Sequence, residues 1–243
     1  MSTILHTLAA PFLIDRYHIV MHGPESCGKT TLLYRLKMGN ECQITVPTIS
    51  FNRENVHLGK LCMLTMWDIG CTPAMRQLLP EFILPTHATP ADTIQPADGI
   101  LVVVPRWSSS VDAAIISAEH TLAANGDLKV PILVLLSEFD QDLARHTEEI
   151  AEVDPQIVTA ELTPEMTADL LDLHKLTVPW VVKPANIWTG KGIPEALGWL
   201  TKACISRRHG HVTRTIDRKL QRFEDLEKIG LDSESESSSD DER

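Results

Sequence analysis

The stretch RYHIVMHGPESCGKTTLLYRLKMG (16–39) decides the architecture. Its first eight residues, 16–23, read as a short buried strand ending at Gly23. Residues 29–39 read as a helix with Leu32, Leu33 and Leu36 inward and Gly39 as its stop. Between them, Gly23, Pro24, Glu25, Ser26, Cys27, Gly28, Lys29 and Thr30 fill the pattern G-x-x-x-x-G-K-[ST] without a mismatch. A strand before and a helix after are the context this pattern requires. The glycines let the backbone curl so that N–H groups from Glu25 to Thr30 face phosphate oxygens, and the helix N-terminus adds partial positive charge there. Lys29 is placed to reach the β- and γ-phosphates of a nucleotide, and the Thr30 hydroxyl to ligate Mg²⁺. Residues Gly23 to Thr31, the last being Thr31 itself, are therefore the candidate phosphate-binding segment.

A phosphate loop does not say which nucleotide is bound or what becomes of it, and a second signal narrows this. VPTISFN (46–52) lies just before a predicted hairpin, and Trp67-Asp68-Ile69-Gly70 ends the hairpin's second strand. A Thr48 hydroxyl in a loop completes a Mg²⁺ shell only when a γ-phosphate is present. The Gly70 N–H can touch the same phosphate, and Asp68 can hold the metal's water. Loops ordered by a γ-phosphate and released on its hydrolysis make a switch.

Working outward, residues 52–68 read as a β-hairpin turning near Gly59. GILVVV (99–104) and PILVLLS (131–137) are continuous apolar runs, the mark of strands buried on both faces. A helical pattern separates them, opening on serines and closing near Gly126. A further helix is predicted from Thr163-Pro164, then a strand over 177–184 and a helix over 193–205. Strands alternating with helices imply an α/β fold, with a mostly parallel sheet flanked by helices on both faces. Residues 84–97, with three prolines, and 141–162 read as long connections.

The 243 residues, 43% of them hydrophobic, suit one globular domain with added segments. The net charge of −11 argues against nucleic acid as a main partner. The segment 232–243 carries six carboxylates against Arg243 alone and has the composition of a disordered tail. No run is long and apolar enough to span a membrane. The five cysteines, Cys27, Cys42, Cys62, Cys71 and Cys204, show neither a disulfide framework nor a zinc spacing, so no disulfides are expected. These features point to a cytoplasmic protein.

GPESCGKTTLLYRLKMGN, VPTISFN, and LTMWDIG followed by Met75-Arg76-Gln77-Leu78 together resemble the ADP-ribosylation factor (Arf) and Arf-like small GTPases. TPEMTADLLDLHKL (163–176) and PWVVKPANIWTGKGIPEALGWL (179–200) resemble the same family's later elements. The resemblance implies a P-loop small-GTPase fold with a six-stranded sheet, GTP and GDP as ligands with Mg²⁺, and protein effectors and regulators recruited to membranes. It also exposes departures. Cys71 and Thr72 stand where the family has Gly-Gln, and loss of the water-orienting Gln predicts slow intrinsic hydrolysis. The base-reading Asn-Lys-x-Asp becomes Ser137-Glu138-Phe139-Asp140, which keeps only Asp140 for guanine N1–H and N2–H. The last base loop maps to Asn186-Ile187-Trp188, with backbone N–H groups for the base oxygen. Trp188 either covers the base or packs in the core.

The chain accordingly divides into an N-terminal amphipathic segment (1–16), a G domain (17–206), a C-terminal helical extension (207–231) and an acidic tail (232–243). Ser2 in place of Gly excludes N-myristoylation. Residues 1–13 carry an apolar stripe that either touches an internal membrane peripherally or packs on the G domain. The resulting expectation is a GTP-binding switch with slow hydrolysis acting in intracellular membrane traffic. The alternative is a nucleotide-binding pseudo-GTPase scaffold without useful hydrolysis.

Overall fold

The two apolar runs lie side by side in the middle of one sheet, where both faces of a strand are covered. A computed structural model describes residues 15–39, 48–58, 62–85, 95–108, 121–123, 129–138 and 160–209. The strands are β1 (Asp15–His22), β2 (Phe51–Leu58), β3 (Cys62–Ile69), β4 (Gly99–Pro105), β5 (Trp107–Ser108), β6 (Ile132–Glu138), β7 (Ala160–Glu161) and β8 (Trp180–Asn186). The helices are α1 (Lys29–Met38), α2 (Pro73–Ile83), α3 (Pro164–Leu170), a 3₁₀ turn (Leu173–Lys175) and α4 (Ile193–His209). Six strands form the main sheet in the order β2-β3-β1-β4-β6-β8, and β5 pairs with β7 as a separate ribbon. Only β2 runs against its neighbour, as the first arm of the predicted hairpin; the other main-sheet pairs are parallel. The six-stranded, mostly parallel sheet implied by the sequence is thus present.

Side chains alternate across the sheet and sort into two cores. On one face Val20, Ile100, Val102, Val104, Ile132 and Val134 pack with Met75, Leu79 and Phe82 of α2 and with Ala168 of α3. On the other Ile19, Met21, Leu101, Val103, Leu133 and Leu135 pack with Leu32 and Leu33 of α1 and with Leu197 and Leu200 of α4. Helices therefore cover both faces. Thr163 caps α3 by accepting from the Met166 N–H at 3.2 Å, with Pro164 opening the helix. The helix α2 was not foreseen; Met75–Leu78 within it entered only as part of the family resemblance. Residues 1–14, the turn at Gly59, most of the 84–97 and 141–162 connections, most of the 108–126 helix, most of the 207–231 extension and the acidic tail lie outside the described residues, as do Cys42 and Asp140. α4 runs four residues past the helix end expected at 205.

Arg208 ties the last helix to the first strand. Arg208 donates to Asp98 Oδ2 at 2.6 Å and to the Arg16 carbonyl at 2.7 Å, and it lies 4.3 Å over the Tyr17 ring. Asp98 Oδ2 also accepts the His18 N–H at 2.9 Å. The neighbouring His18 ring is half-buried, with Nδ1 lacking a hydrogen-bond partner. Burial lowers its pKa below 6.5, against the opposing pull of Asp98. The unfolded chain therefore takes up the proton first, and stability falls as pH drops below 6.5 until folded His18 also titrates. His18→Gln should flatten that part of the stability–pH curve, measured by urea unfolding between pH 7 and pH 5. An unchanged slope would assign the acid sensitivity to other groups.

Candidate functional site

The phosphate loop closes around its own lysine. Gly23 to Gly28 connect β1 to α1, and Gly23 sits so close to β4 that a Cβ there would lie 2.1 Å from the Val103 carbonyl oxygen. Lys29 is 5% exposed, and its Nζ donates to the carbonyls of Gly23 at 3.1 Å and Pro24 at 2.7 Å. It also reaches Cys27 Sγ at 3.6 Å and Cys71 Sγ at 3.3 Å. Burial would lower the lysine's pKa, but Cys27, Cys71 and Asp68 together outweigh it, and the net shift is upward. The ammonium stays charged at neutral pH.

A second centre forms on Asp68, at the end of β3. Its Oδ2 accepts from the Thr30 hydroxyl at 2.6 Å, from Thr48 at 3.3 Å and from the Asn52 amide at 3.2 Å. Thr30 and Thr48 Oγ1 are 2.8 Å apart, and Asn52 also donates to Thr48 Oγ1 at 3.4 Å. The sequence-predicted Thr30, Thr48 and Asp68 are therefore brought together from α1, the loop before β2, and β3. A cluster of hard oxygens suits Mg²⁺, whose adjacent ligands at about 2.0–2.1 Å from the ion are about 3 Å apart. Asp68 Oδ1, buried and without a hydrogen-bond partner, is a further acceptor on the same carboxylate. The residues present fit the ion.

The turn after β3 departs from its expected role. The Gly70 N–H donates to the Ser50 carbonyl at 2.8 Å, so it holds the loop before β2 instead of facing a phosphate. The next side chain, Cys71, is the one that reaches Lys29. Thr72 caps α2, accepting from the Met75 N–H at 3.3 Å. Its hydroxyl is thereby engaged in the helix start.

On the base side, both substituted residues turn toward β4. Ser137 is buried and donates to the Val104 carbonyl at 3.3 Å, and Glu138 pairs with Arg106. The Asn186 N–H donates to the Lys191 carbonyl at 2.9 Å and the Ile187 N–H to the Glu138 carbonyl at 3.2 Å, so neither amide is directed at a base. Trp188 is 49% exposed, which settles it outside the core. Its carbonyl accepts from Arg35 of α1.

Comparison with known proteins agrees with this geometry. Residues 1–204 match the ADP-ribosylation factor family. The chain belongs to that family. ADP-ribosylation factor-like protein 4C of Homo sapiens and of Mus musculus are each 33% identical over 202 residues, covering 79% of this chain and 88% of theirs. The Arl6 BBS3 small GTPase of Trypanosoma brucei, solved with the nucleotide analogue GppNp, has the same fold at 20% identity. The TM-score is 0.56, over 79% of this chain and 99% of that one. By family and fold this is a P-loop, GTP-binding small GTPase.

Sequence reasoning on this Arf-family chain missed Asn52, Arg106 and Arg35. Asn52 was detectable once the hairpin register was known, because it stands directly opposite Asp68. Arg106 and Arg35 act across distant elements and left no local signal. Gly70 is required sterically: a Cβ there would lie 2.5 Å from the Thr48 carbonyl oxygen and 2.7 Å from that of Ser50. Overpacking of this kind costs about 1–3 kcal/mol, and each kcal/mol lowers Tm by about 2–4 °C in a domain of this size. Gly70→Ala should accordingly lower the melting temperature by roughly 2–10 °C. A shift below about 1 °C would show that the Thr48–Ser50 segment yields freely.

Proposed function

We propose that this protein is a GTP-dependent molecular switch whose on state is defined by Thr48, with Mg²⁺ as cofactor and slow intrinsic hydrolysis. The observation that carries the reading is the convergence of Thr30 and Thr48 on Asp68. A hydroxyl from the loop before β2 meets one from the phosphate-loop helix, the two oxygens that would together hold a metal bound to a γ-phosphate. Mg²⁺, when bound, supplies charge neutralisation of the phosphates. Thr30 and Thr48 would hold it through oxygen, and Asp68 would orient the metal's water. Lys29 leaves its loop carbonyls to neutralise the β- and γ-phosphates. With the Gly70 amide given to Ser50, sensing of the γ-phosphate falls to the amide of Cys71. Hydrolysis is slow because Thr72 is shorter than the expected Gln and already caps α2.

The surface around the switch supports effector binding. Ile49, just before β2, is 81% exposed, and Phe51 of β2 and Leu78 of α2 are about half exposed. These apolar side chains offer an effector surface to bury. We extend the reading to recruitment of effectors at an internal membrane, with residues 1–13 as the peripheral contact, a role in membrane traffic that membership of the family supports. Among the described residues no helix is long and apolar enough to cross a membrane. A second reading, a nucleotide-binding scaffold without useful hydrolysis, is favoured by Thr72 as a cap and by Ser137 and Glu138 turned toward β4.

Binding of fluorescent GDP, GTP and ATP analogues with and without Mg²⁺ tests the switch. Mg²⁺-dependent binding with guanine preference is expected, and Lys29→Ala should abolish it; full affinity in that variant would sink the phosphate-loop assignment. Thr72→Gln should raise single-turnover GTP hydrolysis while costing about 0.5–2 kcal/mol of stability through the lost cap. An unchanged turnover would leave the scaffold reading in possession.

A further inference from the structure

Two of the cysteines meet at the phosphate site from different parts of the chain. Cys27 belongs to the phosphate loop and is fully buried; Cys71 follows β3 and is partly exposed. Both sulfurs contact the same ammonium, Lys29 Nζ, at 3.6 and 3.3 Å. Lys29 thus gathers the thiol that solvent can reach and a second, buried thiol around one atom. We propose that Cys27 and Cys71 are a redox-sensitive pair that a peroxide joins into a disulfide, closing the phosphate site to nucleotide.

The chemistry balances with hydrogen peroxide as the two-electron oxidant. The Cys71 thiolate attacks a peroxide oxygen and the O–O bond breaks; with one proton taken up, Cys71 sulfenic acid and one water result. The Cys27 sulfur then attacks the sulfenic sulfur, the S–O bond breaks, and the thiol proton leaves with the hydroxyl as a second water. Cys27 is the slower partner, because burial pushes its thiol pKa up to about 11 despite Lys29. The bond draws the two sulfurs to about 2.05 Å and ties the phosphate loop to the segment that would sense a γ-phosphate. Lys29 loses both sulfur contacts and a bound nucleotide loses its approach. Only this last consequence rests on the proposed function; the pairing of the thiols does not.

The test is peptide mapping by mass spectrometry of the reduced full-length protein after hydrogen peroxide, with and without GppNp and Mg²⁺. A Cys27–Cys71 linked peptide should form, vanish with dithiothreitol, and be suppressed by the bound analogue. Oxidation should weaken fluorescent GTP-analogue binding at least about tenfold in the unsubstituted protein and not in Cys71→Ser. The linked peptide is read from the unsubstituted protein, so it does not depend on how the variant folds. Cys71 oxidised without a linked peptide, or joined to Cys42, Cys62 or Cys204, would overturn the pair. A linked peptide in a protein that binds no nucleotide when reduced would support the pair and overturn the nucleotide reading alone.

Discussion

Asp68 is a fully buried carboxylate at the end of a fully buried strand, and burial of such a group is costly without several hydrogen-bond donors. The fold supplies them from three places: Thr30 at the start of α1, Thr48 before β2, and Asn52 within β2. The phosphate loop, the switch segment and the hairpin are tied to one another through this single group. Meeting a buried charge with hydroxyls creates an oxygen cluster of the kind a hard divalent ion prefers. Structural need and ligand chemistry are served by the same atoms.

Lys29 plays the complementary part on the other side of the loop. Its buried ammonium is satisfied by two loop carbonyls and two sulfurs, all of them partners that a phosphate oxygen can replace. A glycine in place of Cys71 would leave that contact open. The thiol gives the lysine an additional partner and brings reactive chemistry to the mouth of the site. Both ends of the site are thereby poised: hydroxyls that a metal would order, and an ammonium held by partners weaker than phosphate.

The base side follows a different logic. Ser137 is too short to reach outward and bonds to the Val104 carbonyl, while Glu138 finds its charge partner in Arg106. The amides of Asn186 and Ile187 are committed to carbonyls.

The phosphate loop, the alternation of strands and helices, and the grouping of Thr48 with Asp68 were legible in the sequence because each rests on local spacing. Gly23 to Thr31 sit within one turn between a strand and a helix, and apolar runs such as 99–104 report burial directly. What the chain order leaves open is which donors are already spent. Gly70 carries an amide suited to a phosphate, but the pairing of β2 with β3 hands it to Ser50. Thr72 stands where the family resemblance expects the water-orienting Gln, but the helix beginning at Pro73 takes its hydroxyl as a cap. Cys27 and Cys71, far apart in sequence, become neighbours only because β1 and β3 are adjacent parallel strands. Local patterns specify which groups exist and where the chain turns; competition among those groups for partners is settled only when distant segments are packed together.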